Sequence, residues 1–212
     1  MRKKVSRQPF SIGVLGVLAL VVFFGGCTPA HFLINDYEKQ RPLSILVLPP
    51  INQTPQEGVE DVVYPIFVRA IGEKGYYVYS PEYVQEIFRR NKLQEAGRIH
   101  ALPYNKFYDV FGPDAILYIT VEEWAAKYYL IGNQINTQIF ARLVDAKTGV
   151  ELFNMRYQYA YDPAAAQSSI AGKLLVAIAS KFSEKSYLEP AARCNIGMIS
   201  KQLPKGINDE KW

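Results

Sequence analysis

The sequence predicts an α/β fold: a single three-layer domain on a mixed sheet, with a βαβαα start, an antiparallel meander and a C-terminal helix. Three observations carry this. A short continuous apolar run, Ser44-Ile45-Leu46-Val47-Leu48, stops at Pro49-Pro50, as a buried strand does. The segment after it switches to helical spacing. Later, segments rich in β-branched and aromatic residues follow one another across short breaks, the pattern of paired antiparallel strands. With 212 residues, 49% hydrophobic and 21% charged, the chain has ordinary globular proportions, and one domain with tails suits this length.

The Ser44–Leu48 run is expected to be a central strand. From Val59, the residues Val62, Val63, Ile66, Phe67, Ala70 and Ile71 share a helical stripe that Gly75 stops. Pro65 lies inside it, so the helix either starts or kinks there. Tyr76 to Tyr79 suggests a second strand. Ser80-Pro81 supplies an N-cap and a first-turn proline for a helix to about Arg90. Pro103 opens another helix through Phe111, and Gly112-Pro113-Asp114 breaks it before Ala115 to Val121, an interior strand. Strands at Tyr128 to Ile131, Ile135 to Val144 and Val150 to Tyr161 follow. Asp145 to Gly149 forms the turn before the last of these, with Gly149 free to take positive φ. On that strand Phe153, Met155, Tyr157, Tyr159 and Tyr161 share a side, and the tyrosines meet either the core or a partner subunit. A helix from about Pro163 to Ser186 carries Ile170, Leu174, Ile178 and Phe182 on one stripe. Residues 187–212, with Pro190 and Pro204 and no sustained period, read as a polar, extended or loosely packed C-terminal tail.

The first 26 residues have the layout of a secretory signal. A basic start precedes Phe10 to Phe24, an apolar stretch of 15 residues that ends in Gly25-Gly26-Cys27. A bilayer span needs roughly 20 apolar residues, so this run is short for one. It resembles the bacterial lipobox, in which the cysteine after the cleavage point is acylated, and Cys27 is that residue here. Phe24 departs from the usual leucine three residues before the cysteine. An uncleaved anchor or an ordinary secretion signal fits the short run and its small flanking residues less well. Thr28, rather than Asp, follows the cysteine, which in lipoproteins implies sorting to the outer membrane, facing the periplasm. Residues 27–42 then form a lipid-anchored tether, and residues 43–186 the α/β domain.

Of the 24 basic residues, Arg2, Lys3, Lys4 and Arg7 lie in the signal, which leaves 20 against 20 acidic ones. No basic concentration of the kind that displaces counterions from phosphates remains, so nucleic acid is not an expected partner. No phosphate-loop, dinucleotide, zinc-protease or nucleophile-elbow string occurs. Two histidines, His31 and His100, give a metal site or triad little material. The chain is therefore expected to be no enzyme and to need no cofactor or metal. His100 reads as a structural histidine. Glu122-Glu123 should alternate faces of a strand and so not act as a paired-carboxylate device. Asn52-Gln53-Thr54 matches a glycosylation sequon that carries no weight in a bacterial compartment. Once Cys27 is acylated, Cys194 has no internal partner and is either a small buried hydrophobe or a free thiol.

The strings Ile45-Leu46-Val47-Leu48-Pro49-Pro50-Ile51-Asn52, Gly75-Tyr76-Tyr77-Val78, Ile99-His100-Ala101-Leu102-Pro103, Phe111-Gly112-Pro113-Asp114-Ala115-Ile116-Leu117-Tyr118-Ile119-Thr120 and Ala141-Arg142-Leu143-Val144-Asp145 with Thr148-Gly149 resemble a known family. It is the bacterial lipoprotein family classed as domain of unknown function 799, which includes a meningococcal vaccine-candidate surface antigen. The resemblance covers about residues 27–185. It implies an outer-membrane lipoprotein that often associates as a dimer. It also implies an α/β domain similar to the Tol translocation protein N-terminal domain and the curli-secretion lipoprotein. The family has no established catalytic residues, so only Cys27 carries over. The expected function is that of a non-enzymatic accessory of envelope assembly or export. It would be held to the membrane by its N-terminal lipid and act through contacts with envelope or secretion proteins. The alternative is a module binding a small molecule or peptidoglycan fragment, with its pocket near Pro49 to Thr54, where a buried strand ends.

Overall fold

The computed structural model describes residues 31–33, 37, 40–128, 133–165, 169–172, 175 and 188–208. In chain order its elements are β1 (His31–Leu33), β2 (Ser44–Val47), β3 (Ile51–Asn52), α1 (Val59–Glu73), β4 (Tyr77–Val78), α2 (Pro81–Arg90), α3 (Ala96–His100) and α4 (Tyr104–Phe111). The long strands β5 (Ala115–Tyr128), β6 (Asn133–Asp145) and β7 (Glu151–Tyr161) follow, and then α5 (Leu188–Gln202). The strands form one open mixed sheet in the order β1-β7-β6-β5-β2-β4, with β3 also paired to β5. β2 is parallel to β4 and β5, whereas β5, β6, β7 and β1 are successively antiparallel. Both the expected central strand and the expected meander are present.

Alternation along the strands divides the sheet into two faces. Ile45, Val47, Leu117, Ile119, Val121, Ile139, Ala141, Phe153 and Met155 point to one face. There they pack under Val63, Phe67 and Ile71 of α1 and Ala192, Ile196 and Ile199 of α5. Leu46, Leu48 and Ile116 point to the other and meet Val84 and Phe88 of α2, Ile99 of α3 and Phe107 of α4. Three layers therefore cover β2 and the start of β5. Beyond them the second face of β5, β6 and β7 is polar.

Several expectations are corrected. The C-terminal tail is not extended: it holds α5, whose Leu188, Ala191, Ala192, Asn195, Ile196 and Ile199 are buried, as is Leu203 just past its end. Pro190 is harmless there because the first turn of a helix needs no N–H from that position. The tether is also partly folded. His31 to Leu33 pair with Met155 to Phe153, and Tyr37 is buried with its hydroxyl 2.9 Å from that of Tyr76. α1 runs from Val59 through Pro65, so the proline does not start it. The strand expected at Tyr128 to Ile131 is not separate, since β5 reaches Tyr128 without a break and residues 129–132 lie outside the described residues. Of the helix expected over 163–186, residues 163–165 form a turn and 170–172 are helical with Ile170 exposed. Its other stripe residues, Leu174, Ile178 and Phe182, lie outside the described residues.

A further correction concerns Glu122-Glu123. The register between β5 and β6 shifts there, with Val121 opposite Ile139 but Glu123 opposite Gln138. Glu122 is the extra residue of a β-bulge, which turns both carboxylates to the same, polar face. Val121 and Trp124 on either side stay buried.

Candidate functional site

Most of the strings that carry the resemblance do folding work. Asp114 accepts hydrogen bonds at Oδ2 from the Leu43 N–H (3.1 Å), the Ser44 N–H (3.0 Å) and the Ser44 hydroxyl (2.9 Å). Its own N–H returns one to Ser44 Oγ (3.0 Å), clamping the starts of β2 and β5 together. Gly112 ends α4 at φ 65, a conformation that strains any residue with a Cβ. Asp145 accepts from Lys147 N–H (3.0 Å), Thr148 N–H (2.7 Å) and Thr148 Oγ1 (2.8 Å), closing the β6–β7 turn. His100 donates Nε2–H to the Pro49 carbonyl (2.9 Å) and meets the Tyr118 ring edge-on at 5.3 Å. Burial pushes its pKa below the ordinary histidine value, and the nearby Arg142 adds to the effect against the hydrogen bond to Pro49. His100 is thus packed and hydrogen-bonded at the end of α3.

Where β2 ends, Pro49-Pro50 interrupt the pairing to β5 until β3 resumes it, and a groove of about 710 Å³ opens beside them. It lies where the sequence placed a candidate pocket. Its walls are Pro49, Pro50 and Asn52, Glu60, Asp61 and Tyr64 of α1, Arg89 of α2, and Glu95 before α3. Asn52 builds one wall. Its Oδ1 accepts from Thr54 N–H (2.9 Å) and Oγ1 (2.8 Å), while its Nδ2 donates to Gln56 O and Glu60 Oε2 (both 2.8 Å). The sequon residues therefore make a side-chain-closed turn. The Tyr64 hydroxyl donates to Val47 O (3.0 Å), and burial raises its pKa further above an already weak acid. Arg89 is held by Glu86, whose carboxyl falls to about 2 between Arg89 and Arg90. The groove thus presents amides, the Glu60 carboxylate held by Asn52, the exposed carboxylates of Asp61 and Glu95, and an engaged guanidinium. Among its described lining residues there is no histidine, cysteine or serine, and its carboxylic acids are Glu60, Asp61 and Glu95.

The second candidate surface is the polar face of β5–β7. Through the bulge, Glu122 accepts from Arg156 Nε (2.7 Å) and Nη2 (2.9 Å) and from Gln138 Nε2 (2.7 Å), while Glu123 accepts from Gln158 (3.2 Å). The bidentate hydrogen bond from Arg156 holds the Glu122 carboxyl below its usual range. Arg142 lies 4.7 Å over the Tyr118 ring and Arg156 4.7 Å over that of Phe140. Among the described residues no group of His, Cys, Asp or Glu is arranged to hold a metal ion.

The family described as "Putative lipoprotein GNA1162-like" matches residues 34–207. The chain belongs to this family. It is 32% identical over 176 residues to the lipoprotein NMB1124/NMB1162 of Neisseria meningitidis serogroup B, covering 83% of this chain and 81% of that one. The crystal structure of lipoprotein GNA1162 from Neisseria meningitidis superposes with a TM-score of 0.56 at 32% identity. It covers 68% of this chain and 99% of that one. A weaker likeness, TM-score 0.41 at 11% identity, is to the PelC dodecamer of Paraburkholderia phytofirmans, over 78% and 95% of the two chains. The GNA1162-like match ends at residue 207 and so takes in α5 and Cys194, which the sequence strings left unmatched.

The remaining residues fall as follows. Cys27 lies outside the described residues. His31 is a strand residue of β1, and Cys194 is half-buried on α5 beside Tyr159. Tyr157 and Tyr161 are half-buried against the main core, and Tyr157 stacks on Tyr159 at 6.5 Å. The residue that sequence reasoning missed is Asn195, fully buried on α5. Its Nδ2 donates to Thr137 Oγ1 (2.8 Å), Thr137 O (3.3 Å) and Tyr157 O (3.2 Å). Its signal was the spacing Leu188, Ala191, Ala192, Asn195, Ile196, Ile199, a stripe disguised by small and polar members.

Proposed function

We propose that this GNA1162-like lipoprotein is released from its signal after residue 26, acylated at Cys27 and held at the periplasmic face of the outer membrane. It acts there without catalysis, through protein contacts, as an accessory of envelope assembly or export, and it associates as a homodimer. The observation that carries the reading is the open polar face of β5–β7. Arg142 and Arg156 are fixed over aromatic rings there, with Glu122 and Glu123 turned out beside them. Ordered arginines over aromatic surface suit protein recognition, because little side-chain freedom is left to lose on binding. The test is crosslinking of the tagged, acylated protein in intact cells, followed by mass spectrometry, for the wild type and Arg156→Glu. The reading expects defined envelope components whose recovery falls in the variant. Identical recovery from both proteins would remove the polar face from the function.

The groove at the end of β2 favours a second reading, a lipoprotein that binds a small molecule or peptidoglycan fragment between Asn52, Glu60 and Glu95. Saturable melting shifts with muropeptides, lost in Glu60→Ala, are its expected result. A melting temperature unmoved by any fragment would overturn it.

A further inference from the structure

We infer that the β1–β7 edge of the sheet lies against the lipid surface, so that the domain rides directly on the bilayer rather than swinging on a tether. The inference rests on acylation of Cys27 and adds an orientation to it. Because His31 is already paired with Met155, only Thr28, Pro29 and Ala30 separate the acylated residue from the sheet. Four peptide steps span at most ~14 Å between the Cα atoms of Cys27 and His31. The fold is five strand intervals wide from β1 to β4, or about 24 Å. The lipid can therefore reach the β1 edge but not the β4 edge.

Strand direction selects the end as well as the edge. β1 is antiparallel to β7, with His31 beside Met155 and Leu33 beside Phe153. The chain thus enters β1 from the side of Tyr157 to Tyr161, the C-terminal end of β7. Described pairing to β1 stops at Met155, and beyond it Arg156, Gln158 and Ala160 are exposed. On the alternate positions stand Tyr157, Tyr159 and Tyr161, each half-buried. Tyrosine favours the headgroup level of a membrane, where its ring and hydroxyl meet different media. The opposite end of the sheet carries the polar Asp145 to Gly149 turn. The occupant of this edge is therefore the surface of the bilayer that holds the Cys27 acyl chains.

The test uses the full acylated protein with Cys194→Ser, reconstituted in phosphatidylethanolamine–phosphatidylglycerol vesicles that carry nitroxide on some headgroups. A fluorophore is placed on a single cysteine at Ala160, Lys147 or Glu82, all exposed. With a reach of ~14 Å from the anchor, the Ala160 probe should lose about half its fluorescence while Lys147 and Glu82 lose little. Equal or stronger quenching at Lys147 or Glu82, in protein that floats with the vesicles, would overturn the orientation and leave the anchor standing. Failure of the protein to float, matching Cys27→Ala, would instead overturn the anchor itself and the orientation with it.

Discussion

Replacing Ile196 by Ala should destabilise the domain by about 3–4 kcal/mol. Ile196 is completely buried on α5 against the main core face. The substitution deletes three carbons, each contributing ~0.8 kcal/mol when removed from water, and the residual cavity adds to this, within the 2–5 kcal/mol typical of such truncations. With an assumed urea slope of about 2 kcal/mol/M, the unfolding midpoint should fall by roughly 1.5–2 M at unchanged slope. The matched control is Arg193→Ala on the same helix. Arg193 faces solvent and pairs with Glu189 one turn away, so its loss should stay within about 0.5 kcal/mol. If Ile196→Ala moved the midpoint no more than Arg193→Ala, α5 would not be part of the core. The two-face packing described above would then be wrong on its α5 side.

Asn195→Ala should cost about 2–3 kcal/mol by the same assay, because it strips a donor from Thr137 and from the Tyr157 carbonyl inside the core; a change below 0.5 kcal/mol would show these bonds to be idle. Gly206→Ala should lower stability by about 1–3 kcal/mol, since a Cβ there would overlap the Gly75 carbonyl against which the backbone of Gly206 packs. An unchanged Tm would refute that close approach. The His100 ring should titrate by NMR with a midpoint below 6.5, the ordinary histidine value. Folding favours its neutral form, so this contribution to stability is complete above the unfolded pKa and is lost as pH falls through the depressed folded value. A midpoint above 6.5 would contradict the burial of His100 beside Pro49.

The meander was legible because the faces of a strand are written at period two, and the Pro-terminated β2 because a strand buried on both faces is a short continuous apolar run. Ser80-Pro81 likewise announced α2 through its capping chemistry, and Ser80 Oγ does accept from the Tyr83 N–H (3.3 Å). The groove was legible too, since paired prolines end β2 and leave an opening between the helices that follow. What the pattern hid were features decided by partners distant in sequence. α5 was obscured by Ala191, Ala192 and Asn195, which become core residues only because β6 and β7 supply a wall close enough for small side chains. β1 is three residues long and exists only because the edge of β7 is there to pair with it. The bulge at Glu122 is invisible to any rule of strict alternation, although Val121 and Trp124, apolar on either side of two acids, are its trace in the sequence.

The hydroxyl of Tyr76 has an unusual pair of neighbours, Tyr37 near one end of the described chain and the carbonyl of Pro204 near the other, at 2.9 and 2.7 Å. A polypeptide that emerges N-terminus first meets Tyr37 and Tyr76 early, yet the cap on this cluster and the α5 side of the sheet arrive last. Until they do, the main core that holds Ile139, Phe153 and Met155 lacks the side chains of Ala192, Ile196 and Ile199 that complete it. One hydroxyl thus joins the segment before β2 to the segment after α5, so loosening α5 would also release Tyr37 from its place beside the core.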